Sequence, residues 1–340
     1  MRLAAELAKE ERKMQTRFRI GKMVFWMWCV ALMLPFPGME CLQAQEFPTK
    51  PISLVIPLSA GGSNDLTART FVHLSPEILG QPMIIQIKPG GGGAIGSEFV
   101  AQAKPDGYTL LFGHSNCNSV LPAAEGRSKG PDDLAPVCRI NIMDYVVCVR
   151  SDAPFKTFTE MIDWAKANPG KLTFGTLGTR SWMGFEWRWL EQKTGIKARM
   201  VPYDGGAETL IALLGGHIQV TMSFLTQTLP YFRAGNMRPL AVYGTKRYAE
   251  LPNVPTITEE GFVQATPGGI WKGVMAPKGT PPPIIDKLAS GFKKMTENKQ
   301  AAASLKQLGD DFSYLGPDEF AKFWREDYQV FKKLATTLKD

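Results

Sequence analysis

From residue 47 onward, short apolar runs rich in β-branched residues alternate with stretches whose apolar positions recur every three or four residues. The first pattern suits strands buried on both faces; the second suits helices with one face on a core. Ile52–Ile56, Met83–Ile87 and Thr109–Gly113 read as strands, with Asp65–Leu79 and Ile95–Ala103 as helices between them. This β-α-β-α-β order predicts a parallel sheet covered by helices. Val137–Val149 predicts two further strands. Beyond it, strands are expected over Leu172–Gly175, Ala198–Pro202, Val220–Phe224, Leu240–Tyr243 and Trp271–Ala276. Helices are expected over Thr157–Asn168, Ser181–Lys193, Glu208–Leu214, Leu229–Arg233 and Pro282–Glu297, with two more filling the C-terminus. Gly244–Gly269 reads as irregular.

The passages near Val149 and Gly269 resemble each other: each is a strand, then a Pro-containing turn, then a helix. Taken as two crossings, they divide the chain into an α/β molecule of two lobes. One lobe is 45–148 plus 269–340, and the other is 149–268. Two crossing strands make a hinge, and an interlobe cleft is a preferred place for a ligand.

The N-terminus has a different pattern. Residues 1–22 carry seven Lys/Arg and three Glu, and an apolar run from Met23 to Phe36 follows, closed by Pro37-Gly38. A basic segment, a short apolar run and then breakers read as a signal peptide over 1–44 and place the mature chain in the periplasm. The run falls short of the roughly 18–20 residues of a spanning helix. An uncleaved anchor, or a lipoprotein through Cys41, are the other readings. Removing residues 1–44, with seven bases and four acids, takes the formal net charge from +7 to +4. No basic stripe of the kind that binds nucleic acid remains. The modest positive charge favours anionic ligands. Of the cysteines that survive, Cys138 and Cys148 lie on adjacent predicted strands, where they are either a disulfide or two small buried hydrophobes. No Cys/His spacing suits a metal, and nothing points to a cofactor.

Catalytic motifs are scarce. His114 beside Ser115 allows a Ser/His hydrolase, but the surrounding string is not a nucleophile elbow. Gly91–Gly96 matches G-x-G-x-x-G, yet no acid follows at the distance a dinucleotide site needs, so the glycines read as a turn of positive φ. The informative feature is a set of Gly-containing loops that open helices: Ala60-Gly61-Gly62-Ser63-Asn64-Asp65, then Gly175 to Ser181, then Tyr203 to Ala207. First-turn N–H groups are unpaired and carry partial positive charge, so such loops facing one another would clamp an anion. Arg180, inside the second loop, is either a bidentate carboxylate partner or a solvated surface side chain. Trp271, opening the return strand, either walls the cleft or is core.

Several strings resemble the Bug, or tripartite tricarboxylate receptor, family. They include Pro48-Thr49-Lys50-Pro51-Ile52 leading to Ala60–Asp65, Pro89–Gly96, Lys104–Leu111, Val201–Gly206, Leu213–Gly216, Leu251–Thr256, Trp271-Lys272-Gly273 and Ala276–Pro281. The similarity covers nearly all of 47–340. It implies a type II periplasmic-binding-protein fold that closes like a flytrap on a carboxylate, which is often held through water by the first loop, here Ser59–Asp65. It also implies a tripartite tricarboxylate-type membrane transporter as partner, with a periplasmic sensor for a signalling partner as the other use of such a clamp. Carried over by position, the second-lobe site falls on Gly178, Thr179, Arg180 and Ser181, and on Tyr203 to Gly206, including Gly205. Leu58 stands where the family usually has an aromatic residue, and Trp182 where a small polar one is common. Ser223-Phe224 stands where an Asp is frequent. The missing Asp predicts an acid with an apolar or aromatic body rather than an amino acid.

Overall fold

The computed structural model describes residues 47–244, 246–262 and 269–337. The proposed signal peptide, 1–44, lies outside them. Among the described residues no helix is long and apolar enough to cross a membrane.

The elements are β1 (Ile52–Ile56), α1 (Ser63–Phe71), α2 (Ser75–Leu79), β2 (Met83–Ile87), α3 (Ala94–Ala101), β3 (Thr109–His114), α4 (Leu121–Glu125), β4 (Leu134–Met143) and β5 (Tyr145–Arg150). They continue with α5 (Phe158–Ala167), β6 (Leu172–Thr176), α6 (Trp182–Thr194), β7 (Ala198–Pro202), α7 (Gly206–Leu214), β8 (Val220–Phe224), α8 (Leu225–Arg233) and β9 (Met237–Tyr243). The return is β10 (Ile270–Pro277), followed by α9 (Pro282–Glu297), α10 (Lys299–Gln307) and α11 (Pro317–Thr337).

Among the described residues, ten strands form two five-stranded sheets, ordered β2-β1-β3-β10-β4 and β7-β6-β8-β5-β9. In the first, β1 pairs in parallel with β2 and β3, with Leu54 opposite both Ile85 and Leu110, and β10 runs antiparallel between β3 and β4. The second repeats the arrangement: β6 is parallel to β7 and β8, and β5 runs antiparallel between β8 and β9. The molecule is thus a two-lobed α/β fold. The chain leaves the first sheet at Met143 and enters the second at Tyr145, with Asp144 alone between them. Tyr145–Cys148, grouped with the first lobe by sequence, therefore pairs with the second sheet.

Each sheet is buried under helices. In the second sheet, Phe174 stacks on Trp187 of α6 with centroids 4.1 Å apart. In the first, Phe71 of α1 meets Phe112 of β3 and Phe292 of α9 edge-on, at 5.9 and 6.0 Å. Burial of such side chains, at roughly 25 cal/mol per Å² of apolar surface, is the main force holding helices to sheets. The glycine string before α3 behaves as its composition implies. Gly93 has φ +101°, and a Cβ there would lie 2.2 Å from Cys117 Sγ.

Cys138 and Cys148 are free and buried, so of the two readings the structure has the small buried hydrophobes. Their strands do not pair: Cys138 faces Val274 in the first sheet, and Cys148 faces Thr221 in the second.

Candidate functional site

Three helices aim their first turns at one cavity between the sheets. Gly62, Ser63 and Asn64 bring the start of α1, Gly206 that of α7, and Phe224 with Gln227 that of α8. Each helix has nine residues and none has a side-chain cap at its N-terminus, so these N–H groups are not consumed by a capping hydroxyl or carboxylate. The partial positive charge of three helix ends thus converges on one space. The remaining wall is mostly apolar, from Leu58, Tyr145, Leu177, Met183 and Met222, with His114 and Ser223 beside them.

Four buried polar atoms of this lining have no hydrogen-bond partner among the described residues: Asn64 Oδ1, Tyr145 Oη, Ser223 Oγ and Gln227 Nε2. Such a group costs about 1–3 kcal/mol when left unpaired, so four around one cavity mark a place built to be completed by something else. Burial pushes the Tyr145 phenol upward, which keeps it a hydrogen-bond donor.

The charge behind the cavity belongs to Lys272. This side chain is fully buried, and its ammonium donates to Ser63 Oγ at 2.6 Å, to the Ser63 carbonyl at 3.2 Å and to Thr67 Oγ1 at 2.8 Å. It also lies 5.3 Å from the centroid of Phe224. Burial pulls its pKa down to about 8 while Asp310 holds it up, so it is mostly charged at pH 7. Asp310 is itself pushed up to about 6 by burial and accepts a hydrogen bond from Asn141 Nδ2 at 2.5 Å. His114 is brought down to about 3, first by burial and then by Lys272, and is neutral. Its Nδ1 accepts the Asn116 N–H at 3.0 Å, which leaves the ring proton on Nε2 as a donor.

The sheets are drawn together across the cavity. Ser63 Oγ and Thr226 Oγ1 are 2.7 Å apart, Ser59 Oγ donates to Glu208 Oε1 at 2.6 Å, and the Trp182 N–H donates to Asn116 Oδ1 at 2.9 Å. This is a closed arrangement. The cavity it leaves is about 20 Å³, room for about one water. A larger guest enters only when the cleft opens.

The sequence-derived residues separate into groups. Gly62, Ser63, Asn64, Gly206 and Ser223 line the cavity. Ser59, Ala60 and Gly61 form the rim, where Gly61 N–H donates to Asp65 Oδ2 at 2.8 Å, and Asp65 also pairs with Arg69. Gly205 packs against Ser59, so that a Cβ there would lie 2.6 Å from the serine hydroxyl. Gly178 and Ser181 build the turn before α6: Ser181 Oγ donates to the Gly178 carbonyl at 2.6 Å and accepts the Gly184 N–H at 3.1 Å. Thr179 is exposed, and Tyr203 packs beside the α7 core cluster.

Three expectations need correction. Trp271 is core: its indole donates to Asp327 Oδ2 at 2.7 Å and packs edge-on against Phe320 and Trp324. Successive strand residues face opposite ways, so Lys272 is the one that turns to the cleft. Ser115 is likewise turned away, donating to Asp327 Oδ2 at 3.3 Å, while its neighbour His114 lines the cavity. The Ser/His pair of a hydrolase is therefore not formed. Arg180 is half-buried and is not part of the cavity lining: its guanidinium donates to the Ala124 carbonyl across the cleft.

Sequence reasoning did not single out Tyr145, Gln227, His114 or Lys272 as ligand-site residues. The signal for Gln227 was weak, since α8 starts straight from β8 without a capping residue.

A family model for the tripartite tricarboxylate transporter family receptor matches residues 67–339. The chain belongs to this family. The receptor is 35% identical over 298 residues to the UPF0065 protein in the gbd 5′ region of Cupriavidus necator, covering 87% of this chain and 90% of that one. Its fold matches the periplasmic binding protein BugD with a TM-score of 0.78 at 27% identity, covering 86% and 98% of the two chains. A Rhodopseudomonas palustris protein with adipate matches at TM-score 0.80 and 28% identity, covering 86% and 98%. MatC from Rhodopseudomonas palustris with bound malate matches at 0.77 and 26%, covering 85% and 100%.

Proposed function

We propose that this receptor captures a small organic carboxylate in the cavity between its sheets and delivers it to a tripartite tricarboxylate-type membrane transporter. The observation that carries this reading is the convergence of three uncapped helix starts and four unpartnered polar atoms on one closed cavity. Helix N-termini favour anions, and the relatives with malate and adipate support a carboxylate. In this reading the Ser63 hydroxyl and the first-turn N–H groups of α1 receive the carboxylate, the free Asn64 Oδ1 accepts from a water or a guest donor, and Gly206, Ser223 and Gln227 close on the guest from the other side. The wall of Leu58, Leu177, Met183, Met222 and Phe224 suits an apolar or aromatic body; methionines adapt readily to guest shape. The two bodies that move are 45–143 with 269–340, and 145–268, with Tyr145–Cys148 in the second because they pair in its sheet, and 1–44 directs export to the periplasm.

Transition between open and closed forms gives the mechanism. Contacts from both lobes are made only in the closed state, so ligand shifts the population toward closure. The test is a thermal-shift screen of residues 45–340, unfolded and refolded to strip bound solute, against mono-, di-, tri- and aromatic carboxylates. Binding to the folded state raises stability by RT ln(1 + [L]/Kd), about 2.7 kcal/mol at a hundredfold excess over Kd. A shift with one carboxylate class supports the reading. A shift with amino acids or sugars and with no carboxylate refutes it.

A further inference from the structure

Among the described residues, Lys272 is the only Lys or Arg that is fully buried. A buried ammonium is costly unless its protons are taken up and its charge is answered. The protons are placed: Ser63 Oγ, the Ser63 carbonyl and Thr67 Oγ1 accept them. The charge is answered at longer range by Asp310, which favours the ammonium but forms no ion pair with it among the described residues. The direction of the hydrogen bonds is fixed by chemistry. An ammonium has no acceptor, so Ser63 Oγ accepts from Lys272 and its own proton points away from the ammonium, where Met143 Sδ at 3.7 Å is a weak acceptor that a carboxylate can replace. In the closed form Ser63 Oγ also faces Thr226 Oγ1 at 2.7 Å. Ser63 lines the cavity, as does Phe224, over whose ring the ammonium also lies. Lys272 is thus separated from the cavity by one layer of side chain, at the end where α1 begins.

We propose that Lys272 is a positioning residue that makes the receptor select an ionised carboxylate over a neutral isostere, acting through the Ser63 hydroxyl and the first turn of α1. This inference rests on the carboxylate-receptor reading. The ammonium orients the Ser63 proton outward and adds its field to that of the helix end. A ligand carboxylate placed there adds a countercharge on the cavity side of the ammonium, in a site too dry to screen it. A primary amide of the same shape keeps an acceptor oxygen but brings no charge.

The experiment is calorimetric titration with three acid and amide pairs: hexanoate and hexanamide, adipate and adipamide, benzoate and benzamide. Wild type is compared with Asp310→Asn, and with Lys272→Met combined with Asp310→Asn, which removes both buried charges together. Lys272→Gln, which keeps an N–H for Ser63, stands in if the double variant does not fold. Wild type and Asp310→Asn are expected to prefer at least one acid over its amide by a hundredfold or more. Loss of the Lys272 charge is expected to weaken that acid at least tenfold, while any amide binding changes less than threefold. Equal weakening of acid and amide would make Lys272 merely structural, and an unchanged preference would overturn the inference outright. Binding of no carboxylate at all fails the receptor reading itself, and the inference with it.

Discussion

Gly205 and Gly61 both lie in Gly-containing loops that open helices, and the structure distinguishes them. A Cβ at Gly205 runs into Ser59, 2.6 Å from its hydroxyl, whereas one at Gly61 meets nothing within 4 Å but sits at φ +73°. Gly205→Val is therefore expected to block closure and weaken ligand binding at least tenfold with little change in melting temperature. Gly61→Val acts through backbone strain of roughly 1–2 kcal/mol and lowers the melting temperature first. Calorimetry and thermal unfolding on the two variants separate the cases. Tyr145 gives the converse test. Its hydroxyl is buried without a partner among the described residues, so Tyr145→Phe should leave the ligand-free protein as stable or more so, yet lower affinity several-fold. A fall in both would assign the hydroxyl a structural role. His114 predicts a pH effect. Its folded pKa, about 3, lies below the unfolded value near 6.5, so the stability it contributes is present above 6.5 and lost as pH falls toward 3. Between pH 6 and 4, wild type should lose up to about 1.4 kcal/mol per pH unit relative to His114→Gln in chemical denaturation. Trp271 was weighed for the cleft where its neighbour Lys272 turns instead, because a β-run buried on both faces carries no alternation to tell cleft side from core side.

At the scale of elements, most strands were legible, since β-branched runs bounded by Gly and Pro leave little choice. β2, β7 and β8 have the bounds expected for them, as does α9. The helix after β8 was expected to start at Leu229 but begins at Leu225. Phe224 is its N-cap and offers no side-chain hydrogen bond, Thr226 and Thr228 have weak helix propensity, and Pro230 interrupts the pattern. That early start puts Thr226 against Ser63 and Gln227 into the cavity, so the misread boundary hid a part of the site. The contact between α1 and α8 is also testable. Thr226→Val removes the hydroxyl that bonds Ser63 Oγ at small cost in volume. A net hydrogen bond of about 0.5–1.5 kcal/mol predicts a roughly 2–10-fold loss of affinity. An unchanged affinity would show that this bond does not favour closure.

For the whole molecule, the repeated sheet order and the crossing at Asp144 make a clamshell whose three described cysteines are buried. Cys117, Cys138 and Cys148 are all buried, and burial pushes each thiol well above its usual range. Thiol reagents should leave these three unmodified in the folded protein, and reductant should not change its melting temperature. The two-sheet α/β plan was legible because the pattern of apolar runs repeats on either side of the crossing. What faced what across the cleft was not legible, because it depends on pairs such as Ser63 with Thr226 that lie far apart in the chain. Closure around a guest is the central claim, and the 20 Å³ left in the closed cavity requires the molecule to open first. Small-angle X-ray scattering of stripped protein, with and without the carboxylate that stabilises it most, measures this directly. The account predicts a smaller radius of gyration when that carboxylate saturates the protein and no change with its amide. Identical profiles, despite calorimetrically proven binding, would place the ligand outside the cleft and contradict the account.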